Sequence, residues 1–156
     1  MTVERVIDAS PELIFDVLAS PARHHAIDGS GTLRGQPRGP DRLALGSRFT
    51  LAMEQAGAGY RSLNQVIEFD ENRAICWETS GEVYGRRFVG GQRWRYELVP
   101  IAAGDGGAEV STLVLHSYDW GAAMMAPVLR LAGYPRRMAA GMPKSLQRLA
   151  SAVSKA

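Results

Sequence analysis

The chain has 156 residues, 46% of them apolar and 22% charged, which is the composition of one globular domain and excludes a disordered chain, a collagen-like fibre or a coiled coil. Lysine plus arginine exceeds aspartate plus glutamate by 18 − 16 = +2, too small a surplus to predict a nucleic acid or an anionic membrane as partner. The single cysteine, Cys76, excludes an internal disulfide and any cysteine-cluster metal site.

The opening residues carry Glu4, Arg5 and Asp8 with no long apolar run, so no signal peptide is expected. The most apolar stretch, 122–129, is interrupted by Pro127 and ends at Arg130, well short of the roughly 20 residues that cross a bilayer. A single domain over 1–156 in a soluble, cytoplasmic protein without stable membrane insertion is the expectation.

In chain order, 3–7 reads as a short strand, and Ser10-Pro11-Glu12 then starts a helix: serine can accept from a free N–H of the first turn, and proline loses no bond there. Leu13, Ile14, Val17 and Leu18 fall on one helical face and predict the side that covers a core. Ser20-Pro21 repeats the signal and predicts a second short helix over 21–27, stopped by Gly29.

From Thr32 to Trp120 no helical period is sustained, and strands are predicted over 32–34, 47–54, 62–69, 74–80, 88–99 and 109–118. Asp70-Glu71-Asn72-Arg73, the 81–85 segment and Gly104-Asp105-Gly106-Gly107 supply turns. No crossover long enough for parallel pairing separates these strands, so they should form an antiparallel meander. Residues 121–134 suit a loop with a turn or two of helix. From Pro135 onward Met138, Met142, Leu146, Leu149 and Val153 step by 4, 4, 3 and 4, marking the longest helix, with a bend expected at Pro143 unless the helix begins later.

An antiparallel sheet must cover its apolar face, and the last helix is the main element available to do so. One helix about 10 Å wide does not fill the hollow of a curved sheet of six or seven strands. The rest is either filled by large side chains or left as a ligand cavity. Period-two alternation puts Phe49, Leu51 and Met53, then Ile75, Trp77 and Thr79, then Trp94, Tyr96 and Leu98 on the inner face. Val110, Thr112, Val114, His116 and Tyr118 form the corresponding set of the last strand, and Cys76 and Glu78 face outward.

The Ser-Pro-Glu helix start, the Ala26-Ile27-Asp28-Gly29-Ser30-Gly31 segment, the Trp94-Arg95-Tyr96-Glu97-Leu98 strand, the Tyr118-Asp119-Trp120 strand end and the amphipathic last helix together resemble the START-related SRPBCC superfamily. Within it, the likeness is to bacterial polyketide cyclase/dehydrase-like proteins. The resemblance covers nearly the whole chain in element order and in degenerate patches. It implies an α+β helix-grip fold, a curved antiparallel sheet around the C-terminal helix with an apolar cavity between them. It also implies lipid or polyketide-like ligands, or cyclase activity, without supplying a catalytic signature.

The expected function is therefore binding of a small hydrophobic molecule, with Phe49, Met53, Trp77, Trp94, Tyr96, Tyr118, Met138 and Met142 lining the cavity and no cofactor. The alternative is a cyclase or dehydratase in which His116 is the acid or base and a tyrosine steadies an enolate oxygen. Against that, His116 bonded to a backbone or tyrosine partner is simply a core histidine. A further alternative is an interaction module or homodimer packed through 121–134. His24 and His25 lie about 100° apart on their helix and do not bind one metal side by side; a solvated or capping role is expected, or Arg23 or His24 at the cavity mouth. The Gly29 to Gly35 stretch misses the dinucleotide glycine spacing and follows a helix instead of a strand, so it is set aside as a phosphate loop.

Overall fold

The computed structural model describes residues 1–55, 57–83, 86–102, 111–121, 123–124, 126–131 and 133–154. Strand β1 (Thr2–Ile7) leads into helix α1 (Pro11–Leu18), a turn of 3-10 helix (Pro21–Arg23) and the short α2 (His24–Ile27). Six strands follow: β2 (Leu33–Arg38), β3 (Arg48–Gln55), β4 (Ala58–Asp70), β5 (Ala74–Val83), β6 (Arg86–Ile101) and β7 (Ser111–Asp119). Helices α3 (Ala126–Leu131) and α4 (Tyr134–Val153) close the chain.

All seven strands lie in one antiparallel sheet of order β1-β7-β6-β5-β4-β3-β2, the meander expected from the missing crossovers, with β1 added beside β7. Most strands run longer than the sequence pattern predicts. Asn72 takes a left-handed φ of 61° in the β4–β5 turn, where the Arg73 N–H bonds to the Asp70 carbonyl, the chemistry read from Asp70-Glu71-Asn72-Arg73. The 104–107 turn and Val110 lie outside the described residues. Register shifts opposite Trp77/Cys76, Thr79/Ser80 and Gly81/Glu82 leave one extra residue each, in β4 for the first and in β6 for the other two, and such bulges bend those strands and curve the sheet.

The inner face is covered by α4 together with α1, whose apolar face was expected to cover a core. α1 buries Ile14, Phe15, Val17 and Leu18 completely, and Phe15 meets Phe69 of β4 edge-on at 5.2 Å. Leu13, placed on this face by spacing, is 48% exposed; Phe15 takes the inward position. Ser10 is extended at the N-cap, but its side chain caps no backbone N–H and instead bonds Glu12, holding that carboxyl below its ordinary range. α4 packs on α1, α2, β1 and β7, burying Met142, Leu146, Leu149 and Val153, and Pro143 is accommodated inside one continuous helical element.

The loop after α2 is organised by Asp28. Its carboxylate accepts the N–H groups of Ser30 at 2.9 Å and Leu33 at 3.0 Å, while Thr32 N–H bonds to Ser30 Oγ and Gly29 N–H to Ser145 Oγ of α4. Amides that a phosphate loop would aim at a ligand are thus spent within the protein, and the glycine-rich stretch serves to fix this loop on α4.

Candidate functional site

Cross-strand register arranges the inner face in rows. Ile75, Tyr96 and His116 lie directly opposite one another on β5, β6 and β7. The next row is Val66, Trp77, Trp94 and Tyr118, and beyond it come Asn64, Thr79 and Gln92. Each row is a set of side chains on one pleat, close enough for direct contact.

The aromatic rows form a connected run of rings. Tyr96 stacks on His116 with centroids 3.9 Å apart and planes 9° apart, and Trp94 stacks on Tyr118 at 4.2 Å. Trp94 also stacks on His116 at 5.8 Å, and Trp77 is tilted against Tyr96 at 5.7 Å. From the helical side, His24 of α2 stacks on Trp77 at 5.3 Å and meets Phe49 edge-on at 5.3 Å. Among the described residues, seven ring-bearing positions of the sheet, with Phe15 of α1 packed on Phe69 and His24 of α2 packed on Phe49 and Trp77, therefore line one interior, in which ring pairs contribute about 0.5–1.5 kcal/mol each beyond their buried area.

Both inward histidines are neutral in this setting. His116 is 2% exposed; its Nδ1 lies 3.3 Å from the Arg95 carbonyl, and burial, only partly opposed by that bond, brings its pKa down to about 4. The Nδ1–H donates and Nε2 is left unprotonated. His24 is buried rather than solvated, and takes the capping half of the expected role at the end of α1. Its Nε2–H donates to the Leu18 carbonyl at 2.8 Å, and desolvation lowers its pKa while that bond opposes the shift. Arg23 does not face the interior chemistry: its guanidinium reaches the Ala152 carbonyl on α4 at 3.4 Å. Desolvation raises the Tyr96 phenol well above its ordinary range, so it too is neutral.

Of the expected lining residues, Phe49, Trp77, Trp94, Tyr96 and Tyr118 meet through their rings, together with His116. Met53 packs half-buried against the core from β3. On α4, Met142 is buried and Met138 half-buried, on the helix side that carries Leu146.

Sequence reasoning placed Thr79 inward but missed the polar partners it meets there. Asn64, Gln92 and Ser62 are 4%, 5% and 4% exposed. Thr79 Oγ1–H donates to Asn64 Oδ1 at 2.7 Å, Asn64 Nδ2–H to Ser62 Oγ at 3.2 Å, and the Tyr118 hydroxyl to Gln92 Oε1 at 3.1 Å. The available signal was parity: Ser62 and Asn64 alternate in phase with buried Val66.

On the opposite, convex face a depression of about 350 Å³ is lined by Ile67, Glu68, Cys76, Arg93, Arg95, Ser117 and Asp119. Arg95 forks onto Glu68 at 2.7 and 2.9 Å and also pairs with Glu97, which raises its pKa further. Burial pushes the Cys76 thiol up to about 11, so it is a protonated, weak nucleophile. Among the described residues no group of three or more histidine, cysteine or acidic side chains could hold a metal ion, and no helix is long and apolar enough to cross a membrane.

No family model matches the chain. The uncharacterized protein Rv0088 of Mycobacterium tuberculosis is 29% identical over 140 residues, which is 87% of this chain and 56% of that protein, and MT0096 from a second strain of that organism matches equally. The chain spans about half the length of the curated relatives it matches. Among solved structures, NE0264 from Nitrosomonas europaea aligns with a TM-score of 0.65 at 14% identity, over 99% of this chain and 94% of that one. CV1439 from Chromobacterium violaceum gives 0.59 at 15% identity, over 98% and 95%. The major latex-like protein 151 of Panax ginseng gives 0.57 at 7% identity, over 97% and 94%. At these identities the likeness concerns architecture, and the all-antiparallel curved sheet with its C-terminal helix is a helix-grip-like fold.

Proposed function

We propose that residues 1–156 form a single domain of the START-related SRPBCC type that binds a small hydrophobic molecule, lipid-like or polyketide-like, between the concave face of the sheet and α4. The observation that carries this reading is the run of rings from His24 through Trp77, Tyr96 and His116 to Tyr118 on the concave side of a helix-grip-like sheet. Trp94 is the half-buried member of this run, and an apolar ligand reaching it would gain roughly 25 cal/mol per Å² of its own surface removed from water. The few polar groups among the rings would fix its orientation.

The cyclase alternative draws less support. His116 Nδ1 is committed to a backbone carbonyl and its ring is stacked flat on Tyr96, the packing of a core histidine.

Native mass spectrometry of freshly purified protein, followed by thermal melting and tryptophan emission with a panel of fatty acids, alcohols and aromatic ketones, tests the proposal. A co-purifying mass, or a raised melting temperature with altered Trp77 and Trp94 emission, is the expected result. A wide panel that moves neither signal, on protein that carries no extra mass, refutes it.

A further inference from the structure

The inner face is chemically one-sided. Among the inward positions of β3 to β7 whose side chains are described, none is charged, whereas Glu68, Glu78, Arg93, Arg95, Glu97 and Asp119 all stand at outward positions. The inward amides, Asn64 and Gln92, lie with Thr79 in one row at one end of the aromatic rows, next to Ser62, whereas Thr112 lies at the other end with its hydroxyl spent on the Ala9 carbonyl, and His116 lies among the rings. Burying an ionised carboxylate or phosphate on such a face strips its water without supplying an opposite charge. An uncharged hydroxyl, ketone or amide meets partners of its own kind there, since each member of the row has both donor and acceptor capacity.

We infer that the ligand is uncharged and amphipathic, its apolar body against the aromatic rows and its neutral polar end at the Asn64–Thr79–Gln92 row. This inference rests on the ligand-binding reading above and narrows it: free fatty acids and other anions are poor ligands, and their alcohols, esters or ketones are good ones. The two inward histidines do not rescue an anion, because each is held neutral by burial and is already bonded to a backbone carbonyl.

The test is calorimetric titration at pH 7.5 with two matched pairs, 1-decanol against decanoate and 2-acetylnaphthalene against 2-naphthoate. At least one neutral member should bind, at least tenfold more tightly than its carboxylate partner. Decanoate should then gain affinity as the pH falls toward its own pKa. Gln92→Leu, checked for an unchanged circular dichroism spectrum, should weaken the neutral ligand several-fold. Carboxylates that bind as tightly as their neutral partners overturn the inference and leave the binding reading standing. If none of the four compounds binds while the wider panel yields a ligand, and that ligand is an anion, the inference fails alone; if nothing binds at all, both fail.

Discussion

Gly29 and Gly141 meet backbone to backbone where the loop after α2 lies across α4. A β-carbon on Gly29 would sit 2.2 Å from the Gly141 carbonyl oxygen and 2.5 Å from the Ser145 nitrogen, so neither neighbour leaves room for a side chain. The contact is sealed by the Gly29 N–H bond to Ser145 Oγ at 3.0 Å and by Arg148 of α4 donating to the Asp28 carbonyl. Gly29→Ala should therefore cost about 1–3 kcal/mol in overpacking, and Ser145→Ala about 1 kcal/mol through the lost bond. Urea unfolding reads both; a Gly29→Ala protein as stable as wild type would show that α4 does not dock so closely.

The neutral histidines make stability depend on pH. The unfolded His116 titrates near 6.5 and the folded one near 4, so between those values the unfolded chain takes up a proton that the folded chain does not. Stability should fall as pH drops through that window, by about 3 kcal/mol in all and about 2 kcal/mol of it by pH 5, then level off. His24, whose pKa is also lowered by burial, adds a loss of the same sign. His116→Gln removes one titration and should shrink the difference between urea unfolding at pH 7.5 and pH 5. An undiminished difference in that variant would mean His116 is not held neutral.

Cys76 offers a chemical probe of the convex face. It is 5% exposed, and burial, reinforced by the nearby Glu68 carboxylate, lifts its pKa to about 11 from an ordinary 9.0. Since only the thiolate reacts, ionisation alone should slow alkylation by iodoacetamide at pH 8 about 100-fold relative to the urea-unfolded chain. Rapid labelling of native protein would show a more open or more positive site than the ion pairs around Arg95 produce.

How far the sequence could be read depended on whether a residue's partners were near it in the chain. Trp94, Tyr96 and Leu98 reveal their facing by alternation within one strand, and the meander follows from short connections, so sheet topology and the aromatic lining were legible. Leu13 and Phe15 both border the apolar stripe of α1, and only its docking against β4 decides that Phe15 turns inward to Phe69 while Leu13 stays exposed. His24 looked solvent-facing beside His25 and Arg23, yet it is buried by Phe49 and Trp77, 25 and 53 positions further along. Asn64 and Gln92 are hidden in the sequence for a related reason. A polar residue in a strand reads as a wet face until the register places it in line with other buried ones.

That row permits a test separating its structural worth from its use. Asn64 and Thr79 satisfy each other across β4 and β5 at 2.7 Å. Removing one partner strands the other, so Asn64→Leu alone should cost about 1–3 kcal/mol, whereas Asn64→Leu with Thr79→Val replaces both polar groups and should restore much of that loss. If the row serves only to fill the sheet, the double variant will keep whatever preference the wild type shows for 1-decanol over decanoate. If it receives the polar end of a ligand, the double variant will fold nearly as well as wild type and bind 1-decanol several-fold more weakly. Unfolding and calorimetry on the same preparation therefore distinguish a packing device from a recognition surface, because only the second lets affinity fall while stability holds.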